Sequence, residues 1–233
     1  MGDHSISIKP LSGAMDPSPY TEFLSRNIVN YNVDNVQSAL DLGCGSGALA
    51  IFLAKRGVDD VYATDINPSA IEATKLNAEL NGVEDDIEII YADMLSSLSC
   101  TGEIDLIVSN PPSLPMQEKP DTDYHMYNYY GGNKGRHFIE ELINQSAGCL
   151  QNGGKIMFIN TSLADVGATF KQLAKEDFSS FTSNCTSLKF REQYYEYFDW
   201  FNHLKDSGIA DYYSKNEEHY EILYCITATY SGQ

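Results

Sequence analysis

Asp41-Leu42-Gly43-Cys44-Gly45-Ser46-Gly47 sets a carboxylate just ahead of a glycine-rich turn. Glycines let a backbone turn sharply and approach a ligand closely, and a helix opening at Ala48 presents its free N–H groups behind them. Such a turn suits a nucleotide-like ligand. A dinucleotide frame, G-x-G-x-x-G from Gly43, would put Ala48 at its last position, which that frame admits only weakly. Asp41 would then also face a pyrophosphate. A carboxylate there suits a cation instead. Asp65 and Asp93 follow, each where a later strand should end. The first is placed to accept two ribose hydroxyls and the second to accept from an adenine amino group.

These groups need a scaffold that brings strand tips to one crevice. From Ser38 to Asn160 short apolar runs alternate with helical patterns, the signature of β-α-β units and a mostly parallel sheet. The expected strands are Ser38–Leu42, Val61–Ile66, Ile87–Ala92, Ile104–Ser109 and Lys155–Asn160. Helices are expected over Ala48–Arg56, Pro68–Leu80 and Phe138–Leu150. Asn67 reads as the cap and Pro68 as the first residue of the second helix, which Asn81-Gly82 should stop. Pro111-Pro112 ends the fourth strand, and Leu114–Asn133 reads as a long polar loop. Beyond it, Leu163–Phe178 reads as a helix, and Ser187–Phe190 and Ile222–Tyr230 as strands. Between them Tyr194–Phe201 concentrates Tyr, Phe and Trp. These rings are either core filling or the wall of a substrate pocket.

S-adenosylmethionine, with its sulfonium, ammonium, ribose and adenine, meets the demands of the three aspartates. With these residues in view, the chain resembles the class I S-adenosylmethionine-dependent methyltransferases over about Pro17 to Leu163. The resemblance implies a doubly wound, Rossmann-like α/β fold whose seven-stranded, mostly parallel sheet ends in an antiparallel strand. It implies a cofactor site at Asp41, Gly43, Cys44, Gly45, Gly47, Asp65, Ile66, Asp93, Met94 and Asn110.

Asn110-Pro111-Pro112-Ser113 resembles the N-P-P-[YFW] motif of the branch that methylates a planar nitrogen, either a glutamine amide or the exocyclic amine of a base. A planar nitrogen is a poor nucleophile because its lone pair is delocalised. An Asn side-chain oxygen and the Pro111 carbonyl can accept its two N–H bonds and hold it in line with the methyl group, and two prolines stiffen the corner. Asn110, Pro111 and Pro112 are therefore the expected catalytic residues. Asp16–Glu22 resembles the P-R-P-x-T-E segment of release-factor glutamine methyltransferases, which makes Thr21 a cofactor contact. Gly131–Arg136 resembles the G-G-x-x-G-R of their short members, which work with a small zinc-binding activator subunit. Ser113 and Ser18 depart from that pattern: Ser113 stands where the family has a ring to stack on the substrate. Tyr124, Tyr127, Tyr129 or the Tyr194–Phe201 run are candidates for the missing ring. The expected substrate-contacting residues are Ser113, Tyr20, Tyr124, Tyr127, Tyr195 and Trp200. The acceptor is a protein or a small molecule on this reading. A small-molecule N- or O-methyltransferase and a non-catalytic scaffold are the alternatives.

Composition narrows the partners. The 233 residues carry a net charge of −18, and Lys119, Lys134, Arg136, Lys155, Lys171 and Lys175 are scattered, which argues against tight, unaided nucleic-acid binding. The five cysteines show neither a C-x-x-C pair nor a histidine at ligand spacing, so neither a metal site nor a disulfide framework is expected. No apolar run would span a bilayer and the first fifteen residues lack a signal-like stretch, so a cytoplasmic protein with no membrane partner is expected. The expected organisation is one domain: a covering segment over 1–37, a cofactor-binding core over 38–162, and a C-terminal part over 163–233 with an aromatic insertion at about 191–218.

Overall fold

The computed structural model describes residues 5–31, 33–95, 102–120 and 128–232. Tyr124 and Tyr127 lie outside the described residues. Among the described residues, eight strands form one sheet: β1 Ser38–Leu42, β2 Asp60–Asp65, β3 Ile87–Tyr91, β4 Ile104–Ser109, β5 Leu150–Thr161, β6 Phe178–Lys189, β7 Tyr213–Lys215 and β8 Glu218–Tyr230. The order is β3-β2-β1-β4-β5-β8-β6, with β7 paired on β8. The first five strands run parallel, and β8 lies antiparallel between β5 and β6. This is the doubly wound, Rossmann-like α/β architecture with its final strand reversed, extended by the short β7.

Helices α1 Pro19–Tyr31, α2 Ala48–Lys55, α3 Pro68–Asn81, α4 His137–Ser146 and α5 Val166–Lys175 pack on the sheet, while α6 Phe198–Asp206 packs on the 3-10 turn that precedes it, Glu192–Tyr197. Local chemistry sets their ends. Asn67 accepts the Ser69 N–H at 2.9 Å ahead of Pro68, and Gly82 closes α3 with φ 66°. The central strands are buried on both faces, and their side chains alternate between two cores. Leu106 and Val108 join one with Leu49, Ile51 and α1's Leu24 and Ile28, while Leu40, Leu42 and Ile107 join the other with Ile139, Leu142 and Phe158.

Several boundaries differ from the sequence reading. α4 ends at Ser146, and β5 begins at Leu150 and runs through Gly153-Gly154. A register shift between Ile104 and Leu106 absorbs the glycines, so the expected turn becomes an irregularity within the strand. β6 is a 12-residue strand where only Ser187–Phe190 showed an apolar signal. Its serines, threonines and asparagine occupy a sheet edge, where water faces the strand and no apolar alternation is required. Cys149 is disulfide-bonded, contrary to the cysteine spacing. The aromatic insertion folds as the 3-10 turn, α6 and β7. Phe190, Tyr194, Phe201 and Tyr212 form a third core with Leu114, Met116 and Leu163. No helix among the described residues is long and apolar enough to cross a membrane.

Candidate active site

The parallel strands β1, β2 and β4 end at one edge, and a cavity opens there over the glycine turn. Gly43, Cys44, Gly45, Asp65, Ile66, Asp93, Met94, Asn110, Pro111, Pro112 and Ser113 line it, with Tyr20 and Thr21 from α1. The N-terminal segment adds Met15, Asp16 and Pro17. It is anchored along α3, where Asn77 and Asn81 accept the N–H groups of Lys9 and Ser7 at 2.8 and 2.9 Å, and Asn67 donates to the Gly13 carbonyl at 2.7 Å.

The turn is held by β2. The N–H groups of Gly43 and Cys44 both donate to the Thr64 carbonyl, at 2.8 and 2.9 Å, and Asp65 accepts the Gly45 N–H at 2.9 Å. Gly43 has φ 77°, and a Cβ there would meet nothing within 4 Å, which leaves backbone open to the cavity. Gly47 serves differently. Its φ is 81° and a Cβ would lie 2.8 Å from Thr74 Cγ2, so it packs α2 against α3 and does not line the cavity. Met94, beside Asp93, has φ 53°, a left-handed backbone that costs a residue with a side chain on the order of 1 kcal/mol.

Asp41 does not reach the cavity wall. It is fully buried behind the turn, where Oδ2 accepts the Ala50 N–H at 3.0 Å and Oδ1 has no partner. Burial pushes its carboxyl up to about 7, offset in part by the Ala50 bond, and the Asp65 charge raises it further. Direct contact with a ligand ammonium is therefore closed to it. Burial also raises Asp65, against the lowering by the N–H groups of Gly45 and Asn67. A fixed cation would favour the ionised form of both.

At the corner after β4, Ser109 Oγ donates to the Leu42 carbonyl at 2.8 Å. Asn110 Nδ2 donates to Thr21 Oγ1 at 3.2 Å, which fixes the amide and turns its donor side toward α1. The Gly131–Arg136 segment braces this corner. A Cβ on Gly131 would lie 2.7 Å from Ser113 Cα, and one on Gly135 2.5 Å from the Ser113 carbonyl oxygen. Buried Arg136 ties α4 to α5 through the Asp165 carbonyl, Thr169 and Gln172, so its part is structural.

Ser113 brings no ring to the cavity, but Tyr129, Tyr20 and Tyr194 line it as well. Tyr20 Oη lies 2.7 Å from Tyr194 Oη and donates to Glu221, which also accepts the Thr161 hydroxyl. Burial raises Tyr20 and Glu221 alike. Tyr195 and Trp200 do not line the cavity: Tyr195 is exposed beside Phe198, and Trp200 donates to the Asn133 carbonyl and stacks on His203. Arg191 and Glu221 are missing from the sequence reading. The available signals were an acid directly before the apolar run Ile222–Tyr230 and an arginine leading into the tyrosine run.

A reversed final strand, a glycine turn and carboxylates at successive strand tips define a methyltransferase fold. Residues 18–191 match the model of the methyltransferase small domain, and the chain belongs to that family. It is an S-adenosylmethionine-dependent methyltransferase. A putative protein N5-glutamine methyltransferase of Methanocaldococcus jannaschii is 29% identical over 80% of this chain and 92% of its own length. A release factor glutamine methyltransferase of Clostridium acetobutylicum is 32% identical over 63% of this chain, which spans 54% of that protein. Among solved structures, the ribosomal protein L11 methylase of Lactobacillus delbrueckii subsp. bulgaricus superposes with TM-score 0.58 over 95% of this chain and 83% of its own, at 21% identity.

Proposed function

We propose that this enzyme methylates a planar nitrogen, with the side-chain amide of a protein glutamine as its acceptor. The carrying observation is that Asn110-Pro111 shares one cavity with the glycine turn, Asp65 and Asp93. Two relatives named as glutamine methyltransferases support the same acceptor.

The residues fit the cofactor. Gly43 leaves room for close approach, and Asp41 Oδ1 is an orphaned acceptor that a bridging water could join to an ammonium. Asp65 would take the ribose hydroxyls and Asp93 the adenine amine, with Cys44, Ile66 and Met94 beside them. Bound there, the cofactor supplies a methyl carbon made electrophilic by its sulfonium. Asn110 Oδ1 and the Pro111 carbonyl accept the two N–H bonds of the acceptor amide. Thr21 prevents the Asn110 amide from rotating, and Pro112 keeps the corner rigid.

A small-molecule acceptor is the second reading, favoured by Ser113 on the wall where a stacking ring is expected and by the tyrosines that share its cavity. Mass spectrometry separates the two after incubation of protein and metabolite fractions with methyl-labelled cofactor. N5-methylglutamine in a protein fraction supports the first reading. Label confined to the metabolite pool overturns it.

A further inference from the structure

The proposed reaction gives no role to Arg191, the one basic side chain that lines the cavity among the described residues. It follows β6 in an extended backbone, φ −75° and ψ 155°, at the start of the 3-10 turn. Its guanidinium carbon lies 4.9 Å from the centre of the Tyr20 ring and 5.5 Å from that of Tyr129. One nitrogen, Nη1, donates to Tyr129 Oη at 3.0 Å. Two rings and a hydroxyl thus hold the plane of the cation in place.

No carboxylate among the described residues comes within 4.0 Å of that guanidinium. Glu221, the buried acid of the neighbourhood, is occupied by the hydroxyls of Tyr20 and Thr161 and contributes by orienting Tyr20. The remaining N–H donors of Arg191 form the fork that matches a planar oxyanion. A half-buried cation with unused donors thus lies in the cavity that also carries Asn110, held by Tyr129, whose carbonyl accepts the Leu114 N–H just after the Asn110 corner, and by Tyr20, the neighbour of Thr21.

We propose that Arg191 binds a carboxylate of the methyl acceptor while the acceptor's planar nitrogen rests on Asn110 and Pro111. The acceptor is thus an amide or amine that also bears an acid, and this rests on the planar-nitrogen reading above. The acid is either the acceptor's own free carboxylate or an acidic side chain beside a glutamine in a peptide.

The test titrates two matched pairs into protein saturated with S-adenosylhomocysteine: N-acetylglutamine against N-acetylglutaminamide, and acetyl-Gly-Gln-Asp-amide against acetyl-Gly-Gln-Asn-amide. The acidic member of one pair should bind about tenfold more tightly, and the pair that shows this identifies the source of the acid. Arg191→Gln should erase the preference, and Arg191→Lys should keep part of it, both with unchanged S-adenosylhomocysteine affinity as evidence of an intact fold. Equal binding within both pairs, or a preference that survives Arg191→Gln, overturns the assignment. The 5-methyl ester of N-acetylglutamate isolates the other reading. If it binds as well as N-acetylglutamine, the nitrogen is not recognised, and the planar-nitrogen reading fails while Arg191 keeps its carboxylate.

Discussion

Around the glycine turn, the polar groups on the cavity wall come from strand ends and the turns just after them, at 43–46, 65–67 and 93–94, whereas around the asparagine corner Tyr20, Asn110, Tyr129 and Arg191 come from four distant stretches. The first group is acidic and fixed by backbone N–H bonds. The second is aromatic, holds the cavity's arginine, and is fixed by side chain to side chain bonds such as Asn110 to Thr21 and Arg191 to Tyr129. A shared cofactor needs the first arrangement and a particular acceptor the second, so substitutions in the two groups should fail differently.

The largest effect is expected at the corner. Asn110→Ala should lower kcat by about a thousandfold while leaving the dissociation constant of S-adenosylhomocysteine within about threefold, measured by single-turnover kinetics and calorimetry. Equal losses in both quantities would show that the two groups of residues act as one. Asp65→Ala should do the reverse. Loss of a charged acceptor for two hydroxyls should weaken S-adenosylhomocysteine by about a hundredfold, with kcat at saturating cofactor changed little.

A subtler test concerns Thr21, which the family resemblance assigns to the cofactor and the structure bonds to Asn110. Thr21→Val should reduce kcat about tenfold with KM for the cofactor unchanged, because the amide loses its anchor. A rise in cofactor KM alone would return Thr21 to the first group.

The smallest effect is a pH dependence. Without ligand, the Asp41 carboxyl is held near 7 by burial. A nearby ammonium favours its ionised form, so cofactor binding below that pH must expel a proton. Affinity should therefore rise from pH 6 to 7 by several-fold and level off above, and Asp41→Asn should flatten the profile. In the free protein the sign is opposite. Folding retains a proton on Asp41 that the unfolded chain has lost, so the stability from this group falls as pH climbs from the ordinary carboxylate range through about 7.

The same division explains what was legible in the sequence. The glycine turn, Asp65 and the capped helix after Asn67 are local patterns, because a strand tip and the turn that follows are neighbours in the chain. The Asn110 corner was legible for the same reason. Asp41 was legible as an acid near the turn but not in its position, since the sequence does not say which way a residue within a doubly buried strand faces. Tyr20 meets Tyr194 across 174 residues and Glu221 across 201, and no periodicity encodes such pairs. Polar β6 was missed because an edge strand needs no apolar alternation. Tyr195 and Trp200 belong to the aromatic stretch, but Tyr195 is exposed beside Phe190 and Trp200 packs against the third core, and Tyr194 and Arg191 reach the cavity instead.

The shared cavity is tested at once by a crystal structure of the enzyme with S-adenosylhomocysteine. The ribose hydroxyls should lie on Asp65, the adenine at Asp93, and the thioether sulfur should face Asn110 and Pro111 with room between for a methyl group and one planar group at about 3 to 3.5 Å from it. An adenosine bound away from Asp65 and Asp93, or a sulfur facing any other wall, would contradict it.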